Sequence, residues 1–193
     1  MRVKEIFKGF FGKGTYPSFL SFWLDFPLRK LIISPKTIAE RLYLKENHKV
    51  LEIGPGPGFF SGEIARRITR GHLFLLDLQR EMLLKARKKM EKKKLFNVSY
   101  IEGDAVKLPL KDNFFDIVFL ITVLGEVSSP QLCMNNIYKS LKPGGLLSIT
   151  EQFGDPDRIS FEDLYTMAKN SGFKFLKKYG SNKNFTANFQ KPA

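Results

Sequence analysis

The chain is poor in cysteine, histidine and acidic residues, and it has no long apolar run. One cysteine in 193 residues excludes a disulfide scaffold. That residue, Cys133, falls in an apolar helical pattern and reads as core. The two histidines, His48 and His72, each open an apolar run away from the other candidate residues, so neither is assigned chemistry and no metal site is expected. No window of eighteen uncharged apolar residues occurs. The best run, Phe114 to Leu124, is short and holds Asp116, so a membrane span is not expected. Lys13 interrupts any apolar stretch behind the basic start at Arg2, Lys4 and Lys8, which argues against a cleaved secretion signal. With 43% hydrophobic and 26% charged residues the composition is that of a folded chain, and the length suits one domain with a real core. A cytoplasmic location is the expectation.

The shortage of acid leaves a formal net charge of +13. Residues 1–100 hold 21 Lys and Arg against 9 Asp and Glu, so +12 of that excess lies in the first half. The densest part is Lys85 to Lys94, where only Glu91 opposes seven basic residues. Met82, Leu83, Ala86 and Met90 recur there at helical spacing, which puts the lysines on the outer face of an amphipathic helix. Basic residues in the last turn also complement the helix dipole. A solvated face and a phosphate-binding patch are both consistent with this pattern.

From residue 48 onward, short apolar runs alternate with helical patterns, which predicts a parallel sheet with crossover helices. Strands are expected at His48 to Ile53, His72 to Asp77, Asn97 to Glu102, Phe115 to Thr122 and Gly145 to Glu151. Helices are expected at Phe59 to Arg70, Gln79 to Lys94, Pro130 to Leu141 and Ser160 to Asn170. The tail from Phe173 to Gln190 reads as two strands joined around Gly180-Ser181-Asn182-Lys183. Residues 1–45 differ in kind and form a helical lid ahead of the main domain, 46–193. Phe19, Phe22, Trp23 and Phe26 make an apolar helix face, Pro27 breaks it, and Ser34-Pro35 supplies the cap and first turn of another helix running to about Leu44.

The most informative stretch is Glu52-Ile53-Gly54-Pro55-Gly56-Pro57-Gly58, where a buried strand runs into three alternating glycines and then a helix. Such a turn lets a ligand approach the backbone without Cβ obstruction. A dinucleotide fingerprint needs its third glycine at 59, which is Phe59, and no Lys-Ser/Thr pair follows as a phosphate loop requires. Asp77 closes the next apolar run, where a carboxylate can accept both hydroxyls of a ribose. Asp104 ends the third. Glu52, Asp77 and Asp104 thus converge on one crevice, an arrangement that suits a cationic nucleoside better than a pyrophosphate.

With these residues the chain resembles the class I S-adenosylmethionine-dependent methyltransferases over about residues 48 to 190. Glu52-x-Gly54-x-Gly56-x-Gly58 matches the family's first motif, Asp77 its ribose-binding acid and Asp104-Ala105 its adenine-edge pair. Phe114-Phe115-Asp116-Ile117-Val118 matches its fourth-strand motif, and Leu141-Lys142-Pro143-Gly144-Gly145 the turn before its fifth strand. The resemblance implies a Rossmann-like α/β fold, a doubly wound sheet of seven strands with the last antiparallel. It also implies S-adenosyl-L-methionine as cofactor, with the glycine loop holding the methionine portion, Leu78 on the adenine and Ile121-Thr122 on the pocket floor. Asp116 and the Lys142-Pro143-Gly144-Gly145 turn read as structural.

Methyl transfer by in-line displacement rests on positioning and exclusion of water, and needs a general base only if the nucleophile must lose a proton. Glu126 is the candidate catalytic residue, contacting the substrate or capping the following helix. Glu151 is the other carboxylate expected on that side. The motif of enzymes that methylate base amino groups is missing after the fourth strand, as is a Pro-Cys nucleophile. The favoured acceptor is therefore a small or lipid-like molecule, approached at a membrane surface through the basic, aromatic N-terminal helices. The alternatives are an RNA methyltransferase gripping phosphates with Lys85 to Lys94, and a non-catalytic S-adenosylmethionine-binding protein.

Overall fold

Val50, Leu51 and Ile53 are buried although consecutive strand residues point to opposite faces, so neither side of their strand faces water. A continuous apolar strand requires helices on both sides of the sheet. The structure, a computed structural model, describes residues 33–107 and 110–193. Its elements run α1 (Pro35–Arg41), β1 (Lys49–Ile53), α2 (Ser61–Arg67), β2 (His72–Asp77), α3 (Arg80–Lys92), β3 (Val98–Glu102), β4 (Phe115–Ile121), α4 (Pro130–Ser140), β5 (Leu141–Glu151), α5 (Phe161–Asn170), β6 (Lys174–Gly180) and β7 (Phe185–Gln190).

The seven strands lie in the order β3-β2-β1-β4-β5-β7-β6. β1 to β5 pair in parallel, and β7 inserts antiparallel between β5 and β6. This is the expected doubly wound sheet with an antiparallel final strand. The chain works outward from β1 to β3 and then returns to β4, so the switch in direction falls between β1 and β4. A crevice opens there at the carboxyl ends of the strands. Val50, Leu73, Leu75, Ile117 and Phe119 pack with Ile38 of α1 and Leu42 at its end, Ile64 of α2 and Leu83 of α3. The other face packs Leu51, Val118, Leu120, Leu147 and Ile149 against Ile137 of α4 and Leu164 of α5.

Most elements fall where the pattern placed them, and the shifts have local causes. α2 starts at Ser61 rather than Phe59, after a turn that holds Gly58 at φ +75°. It stops at Arg67 rather than Arg70 because Ile68 leaves the helical region. There the Asn97 side chain donates to the Ala65 and Ile68 carbonyls at 2.9 and 3.0 Å, closing the helix end. β5 begins at Leu141, earlier than Gly145. Lys142-Pro143-Gly144-Gly145 is taken up as an irregularity opposite Phe115 and Ile117, with Gly144 at φ +76°. α1 has the expected cap, Ser34 Oγ accepting from the Thr37 N–H at 3.1 Å, but ends at Arg41, with Leu42 as its cap and Tyr43 at positive φ. Arg41 ties α1 to β7: its guanidinium donates to Thr186 Oγ1 and its carbonyl accepts from Asn188 Nδ2, both at 2.7 Å. The aromatic face at Phe19 to Phe26, and with it most of the N-terminal lid, lies outside the described residues.

Met82, Leu83, Ala86 and Met90 are buried along α3 while Lys85, Arg87, Lys88, Lys92, Lys93 and Lys94 are exposed. The basic run is an outer helix face, as its periodicity requires. Between α2 and β2, Gly71 leaves no room for a side chain, since a Cβ there would stand 2.1 Å from the His48 carbonyl oxygen. Gly71→Ala, distant from the crevice, is expected to cost about 1–3 kcal/mol. Thermal denaturation should therefore show a Tm several degrees below wild type, with the far-ultraviolet circular dichroism of the folded state unchanged.

Candidate functional site

The crevice starts from a change of backbone direction at the end of β1. Gly54 N–H donates to the Leu76 carbonyl at 2.8 Å, carrying the β1–β2 ladder one residue past the strand. The chain then turns through Gly54 and Gly56 at φ +67° and +54°, in the left-handed region that favours glycine. A Cβ on Gly54 would lie 2.4 Å from Val123 Cγ2, whereas one on Gly56 would meet nothing within 4 Å. Gly54 thus lets the loop approach the end of β4, and Gly56 keeps an open backbone face toward the cavity. Gly58 lets the turn pack against Ala86 of α3, 3.1 Å from where its Cβ would be.

Asp77 stands beside this loop at the end of β2. Its Oδ2 accepts from the Gly56 N–H at 3.1 Å and its Oδ1 from the Gln79 N–H at 2.9 Å, so one carboxylate spans the glycine turn and the start of α3. Burial pushes its pKa above the ordinary value, and the Gln79 and Gly56 N–H groups oppose the rise. Glu52 lies deeper, 3% exposed, and its Oε2 accepts from Ser61 Oγ at 2.6 Å. Asp104 ends β3 in a tight turn, its Oδ1 accepting from the Val106 N–H at 2.8 Å. Asn136 of α4 holds this turn by donating to the Ala105 and Val106 carbonyls at 3.3 and 2.8 Å. Ala105 is buried, and Leu78 stands exposed at the rim.

Glu52, Gly54, Gly56, Asp77, Leu78, Asp104 and Ala105 line one cavity of about 970 Å³, together with Ile121, Thr122 and Glu126. Gly58 packs behind the loop. The sequence reading placed Glu52, Gly54, Gly56, Asp77, Leu78, Asp104, Ala105, Ile121 and Glu126 around one crevice, and the fold brings them together there. Asp116 sits apart at the amino end of β4, accepting from the Lys49 N–H at 2.8 Å and from Lys142 Nζ at 2.6 Å. Cys133 is buried, and its thiol is pushed up to about 12. His72 bonds to Ser99 across β2 and β3 at 2.8 Å.

Two features of the cavity wall go beyond the sequence pattern: the backbone of Thr122, a residue expected at the pocket floor, and the loop after β5. Thr122, a β-branched residue, has φ +54° on the cavity wall, a strained conformation of the kind that gathers at functional sites. The loop after β5 supplies the rest of the wall through Gln152, Phe153, Gly154, Asp155 and Asp157. The Gly154-Asp155-Pro156-Asp157 run following the β5 pattern is the signal that marks it as a turn. It meets the β4–α4 loop so closely that a Cβ on Gly125 would stand 1.7 Å from the Asp157 carbonyl oxygen.

Glu52 is pushed up to about 8, first by burial, with the Ser61 hydroxyl opposing and the Asp77 charge adding to the rise. Glu151 is also pushed up to about 8, by burial and then by the charge of Asp155, with the Ile159 N–H opposing. An acid whose folded pKa exceeds its unfolded value holds extra protons between the two, so stability falls as pH rises through that window. For both groups the window runs from 4.5 to about 8. The Tm of the ligand-free protein should therefore fall from about pH 5 to about pH 8. Glu52→Gln should make that fall shallower in a thermal-shift series, and an unchanged slope would refute the assignment.

Residues 44–174 match a family model described as a methyltransferase domain. The ubiquinone/menaquinone biosynthesis C-methyltransferase UbiE of Ruegeria sp. (strain TM1040) is 34% identical over 124 residues, covering 64% of this chain and 49% of that protein. The chain spans about half the length of the curated relatives it matches. An S-adenosylmethionine-dependent methyltransferase from Aquifex aeolicus superposes with a TM-score of 0.84 at 24% identity, over 91% of this chain and 99% of the other. The [4+2]-cyclase SpnF superposes with a TM-score of 0.72 at 20% identity, over 82% and 80%. These two likenesses speak to the fold, while the sequence match over residues 44–174 runs from before the glycine turn to beyond α5. This chain belongs to the class I S-adenosylmethionine-dependent methyltransferases.

Proposed function

We propose that the protein transfers a methyl group from S-adenosylmethionine to a small or lipid-like acceptor, with the nucleoside end of the crevice at β2 and β3 and the acceptor end at β4 and β5. The observation that carries this reading is the open Gly56 backbone beside the Asp77 carboxylate, in a cavity that continues past Ile121 to Glu126. The residues fit the cofactor. Asp77 accepts from the Gly56 and Gln79 N–H groups, one on each oxygen, and a carboxylate has about four acceptor sites, which leaves acceptor capacity for the ribose. Leu78 offers an apolar surface for the base, and the Asp104–Ala105 turn a polar edge. Glu52, Asp77 and Asp104 give the crevice the sign that favours a sulfonium cation.

When bound, the cofactor supplies a methyl group already activated by the positive sulfur. What remains for the chain is to hold the acceptor in line and keep water out. Glu126 is the contact we assign to the acceptor, serving as a base where the attacking atom carries a proton. The name of the relatives, ubiquinone/menaquinone biosynthesis C-methyltransferase, supports an acceptor of quinone type. Among the described residues no helix is long and apolar enough to cross a membrane. We read the basic residues and the aromatic run of the first 32 positions as the contact through which a lipid-like acceptor is reached.

Calorimetry with S-adenosylhomocysteine should show binding, and Asp77→Asn should weaken it roughly ten- to hundredfold, the worth of a hydrogen bond to a charged group. Glu126→Gln should instead keep that affinity and lower kcat. Failure of the wild-type chain to bind either the cofactor or its demethylated product would overturn the reading. In flotation with anionic vesicles at low salt the full chain should rise with the lipid and be released by added salt. Recovery of all protein in the bottom fraction would remove the membrane contact.

A further inference from the structure

Among the described residues of the cavity wall, Gln152 is the one whose side chain leaves a buried polar atom unpaired. Gln152 follows β5, lines the cavity and is 6% exposed. Among the described residues its buried Nε2 has no hydrogen-bond partner. The segment around it is fixed: the Phe153 N–H donates to Asn184 Oδ1 at 2.7 Å, and the Asp155 N–H reaches the Gln152 carbonyl at 3.4 Å. A donor withheld from both water and protein is costly to keep, and a leucine of similar volume would avoid that cost. Acids stand around it. Glu126, Asp155 and Asp157 line the same cavity. Two cations stand nearby: Arg158 donates to the Asn182 carbonyl at 2.8 Å, and Lys183 Nζ lies 5.5 Å from the centre of the Phe153 ring.

We propose that Gln152 donates a hydrogen bond to an uncharged oxygen, hydroxyl or carbonyl, of the methyl acceptor, and that the surrounding carboxylates turn anionic acceptors away. The inference rests on the methyl-transfer reading above and adds to it a specificity residue and a charge rule. An amide N–H discriminates by geometry, because a ligand lacking the matching oxygen leaves the donor unpaired. The acids discriminate by sign, since like charges brought together in a partly dry site repel strongly.

The test uses the full chain with S-adenosylhomocysteine present and two probes of similar size, neutral methylhydroquinone and anionic 4-hydroxybenzoate, followed by saturation-transfer NMR. Methylhydroquinone should bind at least about tenfold more tightly than 4-hydroxybenzoate. Gln152→Leu should weaken methylhydroquinone about fivefold and leave S-adenosylhomocysteine affinity unchanged. The same variant should raise the ligand-free Tm by roughly 2–4 °C, a gain that a purely structural glutamine would not give. Equal affinity for the two probes, unaltered methylhydroquinone binding in Gln152→Leu, or a lowered Tm would overturn the inference. If wild type binds S-adenosylhomocysteine and still shows no methylhydroquinone signal, the inference fails and the cofactor reading stands. Without S-adenosylhomocysteine binding both fail.

Discussion

One carboxylate holds the working edge of this sheet together. Asp77 ends β2 and accepts from the Gly56 and Gln79 N–H groups at once, so the glycine turn, the strand end and the first turn of α3 are clamped to a single side chain. Both donors are backbone groups that would otherwise be orphaned at a strand exit and a helix start. The carboxylate satisfies them and sits where the positive end of α3 favours negative charge. A ligand hydroxyl that then bonds to Asp77 meets a group already fixed in place, so little ordering cost is left for binding.

Glu52 supports the same edge from below. Its bond from Ser61 links the last turn of β1 to the first residue of α2, across the glycines that separate them. This pair explains why α2 begins where it does: the Ser61 hydroxyl serves the buried acid rather than capping the helix, and the cap residue, Phe60, makes no side-chain hydrogen bond. The acid is held in a site dry enough to favour its protonated form, and a cation arriving in the crevice reverses that preference. The fold therefore stores an unfavourable carboxylate that a cationic ligand would relieve.

Strand and helix identities could be read because the apolar runs of β1, β2 and β4 are continuous and the α3 pattern is cleanly amphipathic. The cofactor end could be read too, since Gly54, Gly56, Asp77 and Asp104 follow strand ends that are local in sequence. The acceptor end is a different kind of object. Its wall is completed only because Gly125 lets the β4–α4 loop touch Asp157, a contact between positions some thirty residues apart that no periodicity encodes. Thr122 gives no warning either, for a β-branched residue is among those least expected at positive φ. Likewise, the pairing of Leu141 with Phe115 extends β5 through a Pro-Gly-Gly run whose local chemistry says turn. Tertiary pairing overrode local preference there.

The net charge of +13 and the acidic crevice are compatible because distance separates them. α3 leaves the crevice at Gln79, and at 1.5 Å per residue its exposed lysines from Lys88 onward lie about 13 Å or more along the axis. That exceeds the screening length of about 8 Å at physiological salt, so through solvent those lysines barely alter the potential at Asp77. Around the crevice burial comes first in raising Glu52 and Glu151, and the charges of Asp77 and Asp155 respectively add to it. The outer face is thus free to be basic for reasons of docking or solubility, while the crevice keeps the sign its ligand requires. Selection on one surface need not disturb the chemistry of the other.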